Sequence, residues 1–363
     1  FSAASSFSKI LKIEIQLGRT GALTPVAKVE PVNIGGVVVS NATLHNEDEI
    51  NKKDIRIGDV VKIERAGDVI PHVVSVDLSK RSSKSIKYKF PNKCPSCGLK
   101  VEKEFNKQTK KFDAVKRCSS EGFTCEKMAI EKIKHFVSKD ALNVDGLGKK
   151  VVEKFWEKKF IRYPQDIFRL NYNKIESLDG WGNQSVLNLK YSINKSKKIT
   201  LNKFIFALGI RHIGQENAKL IAKHLNTKEN FIKINKNYNF KTFLSIDGIG
   251  EIQISSIRKF FSMKENLKVI KELSDLLDIY EEKTQETGKL NNLCFMITGK
   301  LDNMSRAEAK SIIEKNSGKI LSSVSKKLNY LVIGDKPTTK KVNQAKELGI
   351  RIIDQNQLNQ LLN

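Results

Sequence analysis

Between Ile10 and Val76 apolar and polar residues alternate in short runs. Polar residues separate Ile13, Ile15 and Leu17, Gly35-Gly36 leads into Val37-Val38-Val39, and Val60-Val61-Lys62-Ile63 follows a turn at Gly58. A period of two puts one face of each run into a core, and several short strands at this spacing predict a small β-barrel over 1–80. Residues 80–93 are basic and polar with prolines nearby, and read as a connector into a cysteine-bearing segment, 81–128. From Met128 the period becomes helical and stays so with short glycine-containing breaks, which predicts an all-α domain over 129–273. The stretch 281–288 has no apolar residue and centres a linker over 274–288. Beyond it, strand (293–298), helix (305–316), strands (319–322 and 330–333), helix (340–348) and strand (351–353) alternate as a small α/β domain over 289–363, with a parallel sheet.

Four of the five cysteines fall in one window, as Cys94-Pro95-Ser96-Cys97 followed by Cys118 and Cys125. Two residues between the first pair place both sulfurs on one tight turn, and a second pair about twenty residues on completes a tetrahedral set suited to zinc. A disulfide pair and a redox Cys-x-x-Cys are the alternatives. The first lacks a signal peptide to support it, and the second leaves Cys118 and Cys125 unexplained. With four protein ligands no position is open for a catalytic water, so the expected role is structural. Cys294, inside Leu293-Cys294-Phe295-Met296-Ile297, reads as a buried small hydrophobe.

The helical region repeats a phrase: Asn143-Val144-Asp145-Gly146-Leu147-Gly148, Ser177-Leu178-Asp179-Gly180-Trp181-Gly182 and Ser245-Ile246-Asp247-Gly248-Ile249-Gly250, with Gly209-Ile210-Arg211-His212-Ile213-Gly214 as a looser copy. A Gly-hydrophobic-Gly turn between helices leaves backbone N–H groups pointing outward from the start of the second helix, where the helix dipole favours an anion. Gly146, Gly148, Gly180, Gly182, Gly214, Gly248 and Gly250 are thus expected at a phosphate-binding surface read without regard to base sequence, pairs of copies following the two strands of a duplex. These phrases are similar to helix-hairpin-helix motifs. The third copy, with His212 in place of the first glycine, is expected to serve packing. The three Asp-Gly phrases do not supply a nucleotidyltransferase nucleophile, because Asn143, Ser177 and Ser245 stand where Lys-x-Asp-Gly needs its lysine.

Charge fits this picture without deciding it. The 363 residues carry 65 Lys and Arg against 40 Asp and Glu, a formal net charge of +25. Such an excess points at phosphate, in nucleic acid or on an anionic membrane surface. Only 11 of the cations are arginine, so a lysine-rich composition contributes as well. No run of about 18 apolar residues is present to span a bilayer.

Together the pieces resemble the bacterial NAD-dependent DNA ligase family, from its OB-fold domain through its zinc finger and helix-hairpin-helix domain to its BRCT domain. The most specific phrases are Gly18-Arg19-Thr20-Gly21-Ala22-Leu23-Thr24-Pro25-Val26-Ala27, Asn41-Ala42-Thr43-Leu44-His45-Asn46, Ile57-Gly58-Asp59 and Arg65-Ala66-Gly67-Asp68-Val69-Ile70-Pro71, with His135-Phe136-Val137-Ser138 before the first hairpin. The resemblance implies that the OB-fold lies in the minor groove beside a nick, a role falling to Arg19, Thr20, Arg65, Val69 and Ile70. An exposed arginine suits a phosphate, and an apolar pair can wedge against sugars, although strand packing would also explain Val69 and Ile70. His45 reads as structural.

The last domain resembles a BRCT module through Ile297-Thr298-Gly299, Met304-Ser305-Arg306 and Tyr330-Leu331-Val332-Ile333-Gly334, which implies either the phosphate pocket that some members use, of Thr298, Gly299, Arg306 and Lys341, or a purely structural module with Thr298 as a strand-end hydroxyl. Two departures from the family pattern are Thr339-Lys340-Lys341-Val342 in place of Gly-Ser-Lys-Leu and one extra residue between Cys118 and Cys125. The chain begins at Phe1 rather than methionine, which suggests that a longer polypeptide precedes it. The resemblance then implies an adenylation domain of the same polypeptide that uses NAD and magnesium, nicked double-stranded DNA as partner, structural zinc in this chain, no membrane partner, and a cytoplasmic, nucleoid-associated protein. This chain would clamp DNA and be inactive alone. The rivals are a non-catalytic DNA-repair scaffold of the same modules and a repair-nuclease subunit, for which no convincing carboxylate cluster exists.

Overall fold

The computed structural model describes residues 4–65, 70–106, 109–235, 237–281, 288–302 and 304–362. They form two compact units divided between Glu281 and Glu282.

The first unit opens with a closed barrel of β1 (Ala4–Leu17), β2 (Leu23–Ile34), β3 (Val37–Thr43), β4 (Val60–Arg65) and β5 (His72–Val76), in the order β1-β2-β3-β5-β4. One long strand closes it. The first half of β1 pairs with β4 and the second half with β2, and a register shift between Ile10 and Lys12 bends the strand between its two partners. Ile10, Leu23, Ala27, Val61 and Ile63 fill the interior. The alternation did not announce helix α1 (Glu47–Lys53) between β3 and β4. Its start is nevertheless written locally: the Asn46 side chain accepts the Glu49 N–H at 2.9 Å.

The Ile57-Gly58-Asp59 phrase proves to be a structural tie. Asp59 is 1% exposed, and its carboxylate accepts from Arg81 Nε at 2.9 Å and Nη2 at 2.8 Å. Arg81 also reaches Asp54 at 2.6 Å, and Arg56 and Arg81 together hold the Asp54 carboxyl down at about 2. Arg81 was expected to open the cysteine segment; instead it completes the barrel.

The ribbon β6 (Val101–Asn106) and β7 (Lys111–Cys118) follows, and then α2 (Glu126–Phe136), α3 (Lys149–Glu157), α4 (Tyr172–Glu176) and α5 (Asn183–Ser196). Next come β8 (Lys198–Thr200), α6 (Leu201–Ala207), α7 (Gln215–Leu225), α8 (Lys228–Ile232), α9 (Glu251–Ser262), α10 (Lys264–Leu276) and β9 (Asp278–Tyr280). The helices share one apolar core containing Phe136, Phe155, Phe204, Phe231, Phe243 and Phe261, each fully buried. The region is not purely helical, because β8 and β9 pair in parallel, Ile199 with Ile279. Residues 274–280, expected in a linker, are therefore part of this unit; residues 282–287 of that linker lie outside the described residues. No helix among the described residues is long and apolar enough to cross a membrane.

The second unit is a four-stranded parallel sheet, β11-β10-β12-β13, of β10 (Cys294–Thr298), β11 (Lys319–Ile320), β12 (Tyr330–Ile333) and β13 (Arg351–Ile353), with α11 (Arg306–Lys315), α12 (Thr339–Glu347) and α13 (Gln355–Leu362). Helix α13 was not foreseen; it buries Leu358. Cys294 is half-buried rather than fully buried.

Replacing Asp59 with alanine leaves the half-buried Arg81 guanidinium with Asp54 as its remaining partner, and should destabilise the barrel by about 1–3 kcal/mol. A urea melt of the full chain followed by a barrel-specific probe checks this, and a loss below about 1 kcal/mol would contradict the assigned role.

Candidate metal centre and nucleic-acid interface

Cys94, Cys97, Cys118 and Cys125 come together as the sequence spacing predicts, with all four sulfurs within 4.8 Å of one another. Cys94 and Cys125 sulfurs are 3.9 Å apart and those of Cys97 and Cys118 3.4 Å. Four sulfurs around a tetrahedral zinc at about 2.3 Å stand roughly 3.8 Å apart, so the donor set is close to what that ion needs and the widest pair has only to draw in by about 1 Å. The turn that presents the first pair is closed by Gly98 N–H donating to Cys94 O at 2.9 Å. Burial pushes the Cys118 and Cys125 thiols up; at Cys94 burial acts the same way but is outweighed by hydrogen bonds from the Cys97 and Ser96 backbone together with the Cys118 and Cys97 side chains, and the thiol is pulled down. All four can ionise together only beside a cation. Cys97 is half-buried and the other three buried.

The Gly18-Arg19-Thr20-Gly21 turn packs against the cysteine ribbon, while Arg19 and Thr20 also line an open concavity. Cys118 N–H donates to Gly21 O at 2.9 Å, Ala22 bridges Arg117, and Arg117 Nη1 donates to Thr20 Oγ1 at 3.1 Å. Gly21 has φ +79°, and a Cβ there would lie 3.1 Å from Cys118 O. Arg19 is half-buried, its Nη1 beside Gly209 and the His135 ring and without a hydrogen-bond partner. Burial lowers the pKa of both Arg19 and His135. Tertiary contact across more than a hundred residues decides this placement, and no local pattern announces it. Of the other barrel positions, Arg65 ends β4, Ile70 is 72% exposed and Val69 lies outside the described residues.

The four hairpins share one geometry. Gly146, Gly180 and Gly248 have φ of +90°, +82° and +93°, and His212 reaches +61° in the equivalent place, so the backbone course survives loss of the glycine. Gly148, Gly182, Gly214 and Gly250 are the N-caps of α3, α5, α7 and α9. The hairpins pack as two reciprocal pairs. Gly146 lies against Leu189 of α5 while Lys154 of α3 donates to Asp179 O at 2.9 Å; Gly248 lies against Leu220 of α7 while His212 meets Ser256 of α9 at 2.9 Å.

The second glycines answer no need of the fold. Gly148, Gly182 and Gly214 have ordinary negative φ, no side chain caps their helices, and a Cβ at each would meet nothing within 4 Å. Charge separates the pairs. Lys149 and Lys150 open α3 and uncharged residues open α5, but Glu216 and Glu251 stand in the first turns of α7 and α9. In the third hairpin Arg211 pairs with Glu104 of β6 and lies 3.8 Å from Asp113 of β7. That contact, absent from the sequence reading, turns this hairpin toward the cysteine ribbon.

In the second unit Thr298 is 2% exposed, and its hydroxyl accepts the N–H of Thr338, the N-cap of α12, at 3.2 Å. Gly299 has φ +89°, a Cβ there would stand 2.7 Å from Gly334 O, and its carbonyl accepts from Arg306 Nε at 2.9 Å. Arg306 lines a shallow concavity with Lys300 and Ser305 that includes neither Thr298 nor Lys341. Hydrogen bonds thus tie Gly299 to Arg306 and Thr298 to the start of the helix that carries Lys341.

Three family models match the chain: the NAD-dependent DNA ligase OB-fold domain at residues 7–85, the helix-hairpin-helix motif at 203–270 and the BRCA1 C-terminus (BRCT) domain at 285–362. The DNA ligase of Pelagibacter ubique (strain HTCC1062) is 64% identical over the whole chain and 54% of its own length. The DNA ligase of Rickettsia bellii (strain OSU 85-389) is 44% identical over 98% of the chain and 52% of its own length, and that of Wolbachia pipientis wMel 43% identical over the whole chain and 54% of its own length. The chain spans about half the length of the curated relatives it matches. With the barrel, the four-cysteine cluster, the hairpins and the parallel-sheet domain in this order along it, the chain belongs to the NAD-dependent DNA ligase family and carries the modules of its C-terminal portion.

Proposed function

We propose that this chain is the DNA-clamping part of an NAD-dependent DNA ligase, which holds nicked duplex so that an adenylation domain of the same polypeptide can seal it. In that reaction a lysine of the adenylation domain takes AMP from NAD, AMP passes to the 5′ phosphate at the nick, and the 3′ hydroxyl displaces it; magnesium assists the phosphoryl transfers. This chain contributes binding and alignment. It is expected not to join a nick alone, and to act where the chromosome is.

The observation that carries the reading is the set of glycines that the fold does not require. At Gly148 and Gly182 a Cβ would meet nothing in the protein itself, so what a side chain would obstruct there is a ligand against the backbone. With free N–H groups at the helix start, that ligand is a phosphate of the DNA backbone. Hairpins one and two are the principal contacts, because Glu216 and Glu251 already answer the dipole at the other two helix starts. Gly214 and Gly250 then stand at secondary phosphate contacts, and Gly248 also packs the second pair against Leu220. Arg65, Val69 and Ile70 are assigned to the groove, and Arg19 and Thr20 can join them only by leaving their present contacts. The four cysteines hold one structural zinc, which supplies a cation that lets buried thiolates coexist; Cys94, Cys97, Cys118 and Cys125 are its ligands. Thr298, Gly299, Arg306 and Lys341 are assigned to a phosphate, with Arg306 already bonded to Gly299 and Thr298 bonded to the N-cap of the helix that carries Lys341.

Duplex DNA should bind without sequence preference, with log K falling linearly against log salt by about 0.9 per phosphate contact. Gly148→Val with Gly182→Val should remove most of this affinity and leave the melting transition in place. Unchanged binding by that double variant would assign the hairpins to packing alone. Elemental analysis of protein purified under reducing conditions should find one zinc per chain, and its absence would defeat the metal assignment.

A further inference from the structure

The loop between Cys118 and Cys125 is held by the helical domain. Glu265, in the first turn of α10, accepts the Phe123 N–H at 3.0 Å across 142 residues of sequence, and its other oxygen accepts from Tyr163 Oη at 3.0 Å. Lys132 of α2 donates to the Gly122 carbonyl and lies 5.0 Å over the Phe123 ring. Phe123 in turn meets Tyr163 edge-on at 5.3 Å. Gly122 has φ +56°, and a Cβ on it would overlap the Glu265 carboxylate.

We propose that Glu265, Lys132 and Tyr163 are positioning residues for the metal centre, so that retention of zinc depends on the helical domain as much as on the four cysteines. The loop connects the third ligand to the fourth, and losing either of these ligands requires the loop to move. With the peptide at Gly122–Phe123 held from both sides, by a carboxylate on its N–H and an ammonium on its carbonyl, that movement is resisted by helices α2 and α10. Charge acts in the same direction. Four thiolates around Zn²⁺ leave a net charge of about −2, and a largely buried ammonium nearby offsets part of it. Glu265 then balances Lys132. Outer partners of this kind typically change metal affinity by about ten- to a hundredfold.

The inference rests on zinc being the occupant, and the same experiment separates the two claims. Zinc-loaded full-length chain is mixed with an excess of a chromogenic zinc chelator, and the rate of metal release is followed for the unaltered protein and for Glu265→Gln, Lys132→Met and Gly122→Ala. Each variant should release zinc about tenfold faster or more, with Tyr163→Phe between them and the unaltered chain. Glu272→Gln is the control, because Glu272 lies on the same helix and pairs with Arg169 at 2.7 Å. Release as fast from this control would mean that general loosening of α10 explains the effect, and would overturn the proposal. Release at the unaltered rate from Glu265→Gln and Gly122→Ala would overturn it too. Should Glu265→Gln fold poorly, Gly122→Ala tests the contact from the ribbon side. A chain that binds no zinc at all would instead remove the metal assignment itself.

Discussion

Four sulfurs within 4.8 Å of one another, three of them buried, are the constraint on which the first unit depends. They are brought together by chain segments that also carry the contacts between modules. Cys118 donates its N–H to Gly21 of the barrel turn, Lys103 and Lys116 of the ribbon reach Asp48 and Glu47 of α1 at 2.7 and 2.8 Å, and Glu104 pairs with Arg211 of the third hairpin. A small ribbon with few apolar residues of its own cannot hold these positions by burial. A metal that fixes four points of its backbone can, and the barrel and helices then orient against a rigid piece. The finger acts less as a separate domain than as the joint between two.

Electrostatics divides the labour among the hairpins. All four follow one backbone course, even where His212 replaces glycine, yet they do not present the same charge. The first opens with two lysines, the second with uncharged residues, and the last two with a glutamate each. The third spends its arginine on the ribbon. Repetition of a backbone motif thus yields one pair suited to phosphate and another suited to holding the joint. The overall charge of +25 matters in the same selective way. Some of its lysines pair locally, as Lys134 does with Glu131 and Glu153, and the rest set up no more than a general field that attracts anions.

Much of this was legible in the sequence wherever a short spacing carries the physics. Cys-x-x-Cys, the paired glycines of the hairpins and the apolar runs at 330–333 and 351–353 are local statements, and the structure places each where its spacing implies. Helix α1 was legible and overlooked, since Asn46 three residues before Glu49 is a start signal. Helix α13 was hidden by its Gln and Asn content, with Leu358 as its buried anchor. What no local pattern could give is the partner of a long-range contact. Arg19 reads as a surface cation and lies against His135. Glu265 is an ordinary first-turn acid until the fold brings Phe123 to it, and Arg81 reads as part of a basic connector although it closes the barrel through Asp59. Each of these is settled by packing across tens to hundreds of residues, where composition and period are silent.

The central claim, that the metal-bound finger joins the barrel to the helices, is tested most directly by hydrogen exchange on the intact chain before and after zinc is withdrawn under reducing conditions. The account predicts that protection falls together in the cysteine segment, at the Gly18–Gly21 turn and in the first turn of α10, and returns when zinc is restored. Loss confined to residues 94–125, with the barrel turn and α10 as protected as before, would contradict it.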